Sequence, residues 1–185
     1  MANYVQCKAC GYIMEENGVK DKCPACGLPK TVFVPYVNKI SPRRKFLIDQ
    51  HIHPIIVHFP QVFLTLVLFM PLLSLFVAEP WRTELLIVTK LAILVLPFSV
   101  LGGLLTGFFD GKLRFKKLSP PALVSKAVVG GVLQILSVII LGLYLAYGFT
   151  GFAFWLIILF SAISMGCAIY LGRLGSSLFN AILPG

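Results

Sequence analysis

From Pro54 onward the chain is built of four apolar stretches, each near or above the roughly 20 residues that a helix needs to cross a bilayer. They cover about residues 54–78, 83–109, 121–147 and 152–172. With 58% hydrophobic and 12% charged residues in a length of 185, most of the chain is expected to lie in lipid. Proline marks two of the helix starts, at His53-Pro54 and at Ser119-Pro120-Pro121. A proline near the first helical position has a preset φ and no amide to leave unsatisfied. Glu79-Pro80-Trp81-Arg82 reads as a tight turn between the first two stretches, with Trp81 suited to the headgroup layer. Tyr147-Gly148-Phe149-Thr150-Gly151 reads as a short uncharged turn between the last two.

Lysine and arginine set the expected orientation. Lys8, Lys20, Lys22, Lys30, Lys39, Arg43, Arg44 and Lys45 precede the first stretch, and Lys112, Arg114, Lys116, Lys117 and Lys126 surround the second connection. Arg173 follows the fourth stretch, whereas the other two connections hold only Arg82, with Lys90 inside the second stretch. An integral protein of the inner, cytoplasmic membrane with both termini cytoplasmic is therefore expected. A basic rim facing anionic lipid accounts for the net charge of +9. No nucleic-acid partner is expected, because the charges follow topology and no aromatic-interleaved strip accompanies them. Lys90 is expected to snorkel outward or to meet Glu84. Gly103, Gly107, Gly130, Gly131 and Gly166 read as close-packing positions between helices, and Gln134 as a side chain seeking an interhelical hydrogen bond.

Ahead of the apolar stretches stand two cysteine pairs, Cys7-Lys8-Ala9-Cys10 and Cys23-Pro24-Ala25-Cys26. Each C-x-x-C turn can place two thiolates on one metal, and two such turns close a tetrahedral site. Met1 to Gln6 holds neither a basic start nor an apolar core, so no cleavable signal peptide is expected and the cysteines are expected in a reducing compartment, as metal ligands rather than disulfides. Gly11 and Gly27 follow the second cysteine of each pair and allow the backbone to bend so that amides point at sulfur. A small hairpin fits between Cys10 and Cys23, with Tyr12, Ile13, Val19, Val32 and Phe33 as a minimal core. So small a domain depends on its metal for stability. Cys167, among Gly166, Ala168 and Ile169, reads as a small packing residue.

The run Tyr4-Val5-Gln6-Cys7-Lys8-Ala9-Cys10-Gly11-Tyr12-Ile13, with Cys23-Pro24-Ala25-Cys26-Gly27-Leu28-Pro29-Lys30 and Phe33, resembles the short rubredoxin-type domain at the end of rubrerythrins. The resemblance implies a single iron ion ligated by Cys7, Cys10, Cys23 and Cys26 and cycling between ferric and ferrous states. The pairs stand closer together than in free-standing rubredoxins, and the tryptophan-containing aromatic core of those proteins is missing. A zinc ribbon uses the same ligands and similar glycine turns without redox chemistry, and spacing alone does not separate the two metals.

His53-Pro54-Ile55-Ile56-Val57-His58-Phe59-Pro60, together with Gly103, Gly107 and Asp110, is similar to the four-span bacterial membrane proteins of the DUF2231 type. That similarity covers roughly residues 50–175 and implies architecture rather than chemistry. Between the two regions, Ser41-Pro42 can cap a short interfacial helix whose Arg43, Arg44 and Lys45 meet lipid phosphates while Phe46, Leu47, Ile48 and Ile52 face the acyl boundary. His58, Asp110 and Lys126 fall in the cytoplasmic layer and, with His53, form a candidate polar cluster, Asp110 pairing with Lys126 and His58 facing a headgroup, a quinone or a proton path. The plainer expectation is that His58 bonds a carbonyl freed by Pro60, while Asp110 closes the second span and pairs with a nearby Lys or Arg. A haem is disfavoured: on one continuous helix His53 and His58 stand about 140° apart and cannot sandwich it as a pair, although Met165 lies at a similar depth to His58.

The expected fold is thus a small metal-bound β knuckle of rubredoxin-like type plus an all-α transmembrane four-helix bundle. Residues 1–36 form the knuckle, 37–53 a basic linker, 54–175 the membrane domain and 176–185 a short tail. The expected function is membrane-anchored one-electron transfer on the cytoplasmic face, between a soluble donor and a membrane acceptor or quinone. The alternatives are a zinc-ribbon docking scaffold and a quinone- or haem-linked membrane oxidoreductase. No nucleophile–base–acid constellation points to a substrate-transforming enzyme.

Overall fold

A computed structural model describes residues 4–10, 12–23, 26–37, 41–115 and 121–179. The expectations placed on Gly11, Pro24, Ala25, Lys39, Lys116, Lys117, Ser119, Pro120 and the tail from 180 onward lie outside the described residues. Internal contacts divide the chain into two units, the first ending at Phe46 and the second spanning Leu47–Phe179.

The first unit is a three-stranded antiparallel sheet in the order β2-β1-β3, from β1 (Tyr4–Cys7), β2 (Ile13–Glu15) and β3 (Phe33–Tyr36). Along β1 the side chains alternate, Val5 and Cys7 buried against half-buried Tyr4 and Gln6, as a pleated strand with one covered face requires. Val5 faces Met14 on one side and Pro35 on the other. Pro35, which lacks an amide, is tolerated because β3 is an edge strand. The expected five-residue core does not form: Tyr12 is exposed and Ile13, Val19, Val32 and Phe33 are only half-buried. Strands of three or four residues bury little beyond the centre of β1, so the interior is Val5 with the sulfur-bearing Cys7 and Cys23.

In the second part of the chain, α1 (Pro42–Asp49) begins with the Arg44 amide donating to Ser41 Oγ at 3.4 Å, the cap expected there. The apolar residues expected on one outward face do not share it, since Ile48 is buried, Phe46 is exposed and exposed Ile52 lies beyond the helix. His51 adopts a left-handed conformation with φ of 50° and separates α1 from α2 (Ile52–Ile56). Four helical segments among the described residues are long and apolar enough to cross a membrane. Their chief helices are α3 (His58–Ser74), α4 (Trp81–Phe115), α5 (Pro121–Tyr147) and α6 (Gly151–Phe179). Successive helices pack against each other, and α3 against α6 closes the bundle. The core runs through Leu64, Val67, Ile93, Leu96, Ile140 and Ile157, with Cys167 packed at its margin.

Helix ends follow local chemistry. Glu79 Oε2 accepts from both the Thr83 amide, at 3.1 Å, and the Thr83 hydroxyl, at 2.7 Å, and so caps α4. Gly148 and Gly151, at φ of 62° and 45°, reverse the chain between α5 and α6. The first span differs from the expected 54–78 in two places. It breaks at Val57, because Pro60 offers no amide to the Ile56 carbonyl, and it ends at Ser74, where the Leu75 and Phe76 amides turn back to the Leu72 and Leu73 carbonyls. Asp110 does not close the second span, since α4 continues to Phe115. Gly111 does not stop this extension, and Lys112 suits the negative end of a helix.

Two packing expectations are corrected. Gly103, Gly107 and Gly130 do meet neighbouring helices, but a side chain at Gly131 or Gly166 would meet open space. Gln134 Oε1 is buried without a hydrogen-bond partner. The hydroxyls of Ser137 and Ser161 are both spent on their own helices, on the Gln134 and Ile157 carbonyls at 2.7 and 2.6 Å.

Candidate metal centre

The four candidate ligands come together as two matched knuckles. In the first, the Cys7 amide donates to the Tyr12 carbonyl at 2.8 Å; in the second, the Cys23 amide donates to the Leu28 carbonyl at 2.7 Å. The sheet supplies the first knuckle, because β1 ends on Cys7. Gly27, at φ of 73°, makes the turn in the second, a conformation that costs glycine little. Each knuckle buries its first sulfur and exposes its second, so Cys7 and Cys23 are interior while Cys10 and Cys26 face outward.

The four Sγ atoms all lie within 4.8 Å of one another. Across the knuckles, Cys7 Sγ stands 3.7 Å from Cys26 Sγ and Cys10 Sγ stands 3.8 Å from Cys23 Sγ. A regular tetrahedron with metal–sulfur bonds of about 2.3 Å has edges of about 3.8 Å, so the cradle fits one tetrahedral ion. Four soft sulfur donors in that geometry select zinc or iron over calcium, magnesium or manganese. Among the described residues, this is the one group of three or more His, Cys, Asp or Glu side chains close enough to share an ion.

Electrostatics point the same way. Burial alone would raise the Cys7 thiol, but the Cys10 and Ala9 amides and the neighbouring sulfurs Cys10 and Cys26 outweigh it and lower the thiol to about 7. Cys10 is pushed the other way. The Tyr12 amide favours its thiolate, yet desolvation and the other three sulfurs drive it up to about 12. Cys26 is likewise raised against the pull of the Leu28 amide, by desolvation and by Cys23. Four thiolates cannot share this space without a cation to bind them. The amide donors are those of Tyr12 and Leu28, which follow Gly11 and Gly27 in the sequence, together with Ala9 and Cys10 inside the first knuckle. Only the repeated Cys-Gly pattern hints at them in the sequence.

The second candidate group lies in the helical unit. His53, His58, Asp110 and Lys126 all line one cavity of about 570 Å³ at the end of the bundle where α3 and α5 begin. His58 Nδ1 donates to the Pro54 carbonyl at 2.7 Å. This is a backbone carbonyl, as expected, but two residues before the Ile56 carbonyl that Pro60 leaves free. His53, on α2, and His58, on α3, both line the cavity wall. Met165 packs on the apolar core and is not part of that wall. Sequence reasoning missed Thr106, whose hydroxyl lies 3.3 Å from His53 Nδ1, and Gln61, which also lines the cavity. Thr106 stands beside Gly107 of the glycine motif, the one signal that marks its position.

Comparison with known proteins agrees with the knuckle. The family model of the rubredoxin-like domain of rubrerythrin matches residues 6–34, which include all four cysteines. No curated protein and no solved structure matches the chain.

Proposed function

We propose that this chain is a membrane-anchored, rubredoxin-type one-electron carrier. The observation that carries the reading is a tetrahedral cradle of four sulfurs, within a match to a rubredoxin-like domain, in a chain with four membrane-length apolar helices. Cys7, Cys10, Cys23 and Cys26 would hold one iron ion, which supplies a ferric–ferrous couple when bound. Protein sulfur fills all four positions, so no substrate reaches the metal and the chemistry is outer-sphere. The residues tune and insulate the centre. Amides of Ala9, Cys10, Tyr12 and Leu28 spread the thiolate charge and favour the more negative, reduced state. Exposed Cys10 and Cys26 offer the edge through which an electron enters or leaves, while buried Cys7 and Cys23 close off the opposite side.

The distribution of lysine and arginine supports a cytoplasmic location for both termini and for the metal unit, where a soluble donor meets it. A membrane partner or quinone is the proposed acceptor. A DUF2231-type membrane domain is supported by the way its two motifs meet: Gly103 lies against Val57 and Pro60, and Gly107 against His53.

The test is an absorption spectrum with metal quantification on full-length protein purified aerobically from iron-replete cells. The expected result is one iron per chain with a ferric–thiolate colour that bleaches on reduction. Stoichiometric zinc with no colour and no redox wave overturns electron transfer and leaves a zinc-ribbon docking scaffold.

A further inference from the structure

The cavity in the helical unit carries two histidines whose hydrogen-bonding direction the fold dictates. His58 Nδ1 lies 2.7 Å from the Pro54 carbonyl oxygen, which can only accept, so Nδ1 bears the proton. His53 Nδ1 lies 3.3 Å from Thr106 Oγ1. That hydroxyl's single proton is directed at the Gly102 carbonyl, 2.8 Å away, so His53 Nδ1 donates to the hydroxyl oxygen. With Nδ1 protonated, the neutral form of each ring carries its lone pair on Nε2. Gly107 makes this placement of His53 feasible, because a Cβ there would stand 3.0 Å from the ring's Cε1.

Three properties restrict the occupant. A volume of about 570 Å³ suits a small organic molecule rather than an ion. The wall is largely hydrocarbon, including Leu64, Leu104, Phe108 and Leu133, and it sits among helices of membrane length. Hydrogen-bonding side chains are confined, among the described lining residues, to His53, His58, Gln61, Asp110 and Lys126. This set mixes acceptors, the two Nε2 atoms and the Asp110 carboxylate, with donors, the Lys126 ammonium and the Gln61 amide. A phosphate or carboxylate headgroup would suit Lys126 but would set acceptor against acceptor at the histidines and Asp110. A headgroup whose oxygens accept in one redox state and donate in the other meets both kinds of partner.

We propose that this cavity binds the headgroup of a lipophilic quinone and its quinol. The quinone carbonyl accepts from Lys126, and the quinol hydroxyl donates to a histidine Nε2. The inference deepens the electron-carrier reading, for which a quinone is one acceptor, and rests on it for the placement of the helical unit in lipid; binding itself needs no redox-active metal.

The experiment uses the full chain in detergent, loaded with zinc so that no electron moves, and titrates it calorimetrically with a short-chain benzoquinone and a short-chain naphthoquinone. Saturable binding of at least one of them at one per chain is expected. It should weaken at least tenfold in Gly107→Ala, which displaces the His53 ring, and in Thr106→Val, which removes the ring's hydroxyl partner without adding bulk. His51→Ala, at an exposed position off the cavity wall, should bind as the parent does. Melting temperature, followed in parallel, separates lost binding from lost fold. Absence of saturable binding, or binding indifferent to both Gly107→Ala and Thr106→Val, overturns the proposal. So does full displacement of the quinone by stoichiometric oleate or phosphatidylglycerol, which would make this an anionic-lipid site. If the zinc form binds quinone as described and the iron form exchanges no electron with it, the cavity assignment stands and the quinone as electron partner falls.

Discussion

Removing the metal should dissolve the first unit and leave the second intact. Outside the cysteines, the one hydrophobic residue buried in the described part of that unit is Val5, at 7% exposure. Full burial of a valine contributes about 1.5–3 kcal/mol. Binding of a structural metal by a small cysteine-rich domain contributes about 10–16 kcal/mol at neutral pH. The metal term is several times the apolar one, so the sheet cannot persist without it. The readout is amide hydrogen exchange on the full chain in detergent, before and after chelation. The Cys7 and Cys23 amides, bonded to the Tyr12 and Leu28 carbonyls at 2.8 and 2.7 Å, report on the two knuckles. Their protection should fall by about a thousandfold or more, equivalent to ~4 kcal/mol of lost opening free energy. Amides in α4, α5 and α6 should keep theirs, since their core around Ile93, Leu96, Ile140 and Ile157 contains no ligand. Retained protection of both knuckles in the metal-free chain would refute the claim that the metal is their principal support.

Metal binding should release protons, because the dissolved metal-free unit holds its cysteines as free thiols, which titrate at about 8.5. The cradle itself raises Cys10 to about 12 and Cys26 likewise, so the metal and not the fold must expel their protons. Affinity should therefore climb with pH across about 7 to 9, a trend that calorimetry in buffers of different ionisation enthalpy would detect; pH-independent affinity would contradict it. Gln134→Leu removes an acceptor that is buried without a partner, and should leave thermal stability unchanged or raise it by about 1–3 kcal/mol, where a loss of that size would show that the amide is satisfied. Gly131→Ala and Gly166→Ala point into open space and should each stabilise their helix by about 0.5–1 kcal/mol in thermal melts, whereas a clear loss would reveal a contact at those faces.

The clustering of four cysteines was legible because C-x-x-C spacing is a local property, and the structure gathers the same four sulfurs. The surroundings of the sulfurs were not. Tyr12, Ile13 and Phe33 look like core by residue type, yet the short sheet spends its interior on Val5 and the cysteines. Where turn chemistry brackets a helix, the sequence reads well: α5 begins and ends at Pro121 and Tyr147, as proline and Tyr147-Gly148 suggest. Asp110 misled because a carboxylate beside a glycine resembles a stop, whereas Lys112 extends the helix. The break at Val57 was half legible. Pro60 announces a missing amide, but nothing local says that the His58 ring will take the Pro54 carbonyl, or that His53 will find Thr106 on another helix.

Whether the helical unit is only an anchor can be argued from what an anchor requires. Spanning a bilayer requires apolar surface and satisfied backbone, and polar side chains add cost. A charged residue costs about 2.5–3.5 kcal/mol at the helix centre on the insertion scale, and less toward the interface. Lys90 behaves as that cost dictates, exposed near the start of α4 where its stem can reach outward. His53, His58, Asp110 and Lys126 do not scatter in this way. They come from α2, α3, α4 and α5 to line one cavity, and α6 contributes Gly175, where a Cβ would stand 3.7 Å from Lys126 Nζ. Mutual pairing would account for a lysine and a carboxylate, but not for two imidazoles held by Pro54 and Thr106 beside an apolar hollow. A plain anchor would retain its spans with phenylalanine at both histidines and leucine at Gln61. That triple variant should therefore keep the metal spectrum and membrane extraction of the parent while losing quinone binding. Equal quinone affinity in parent and variant would reduce the helical unit to a tether.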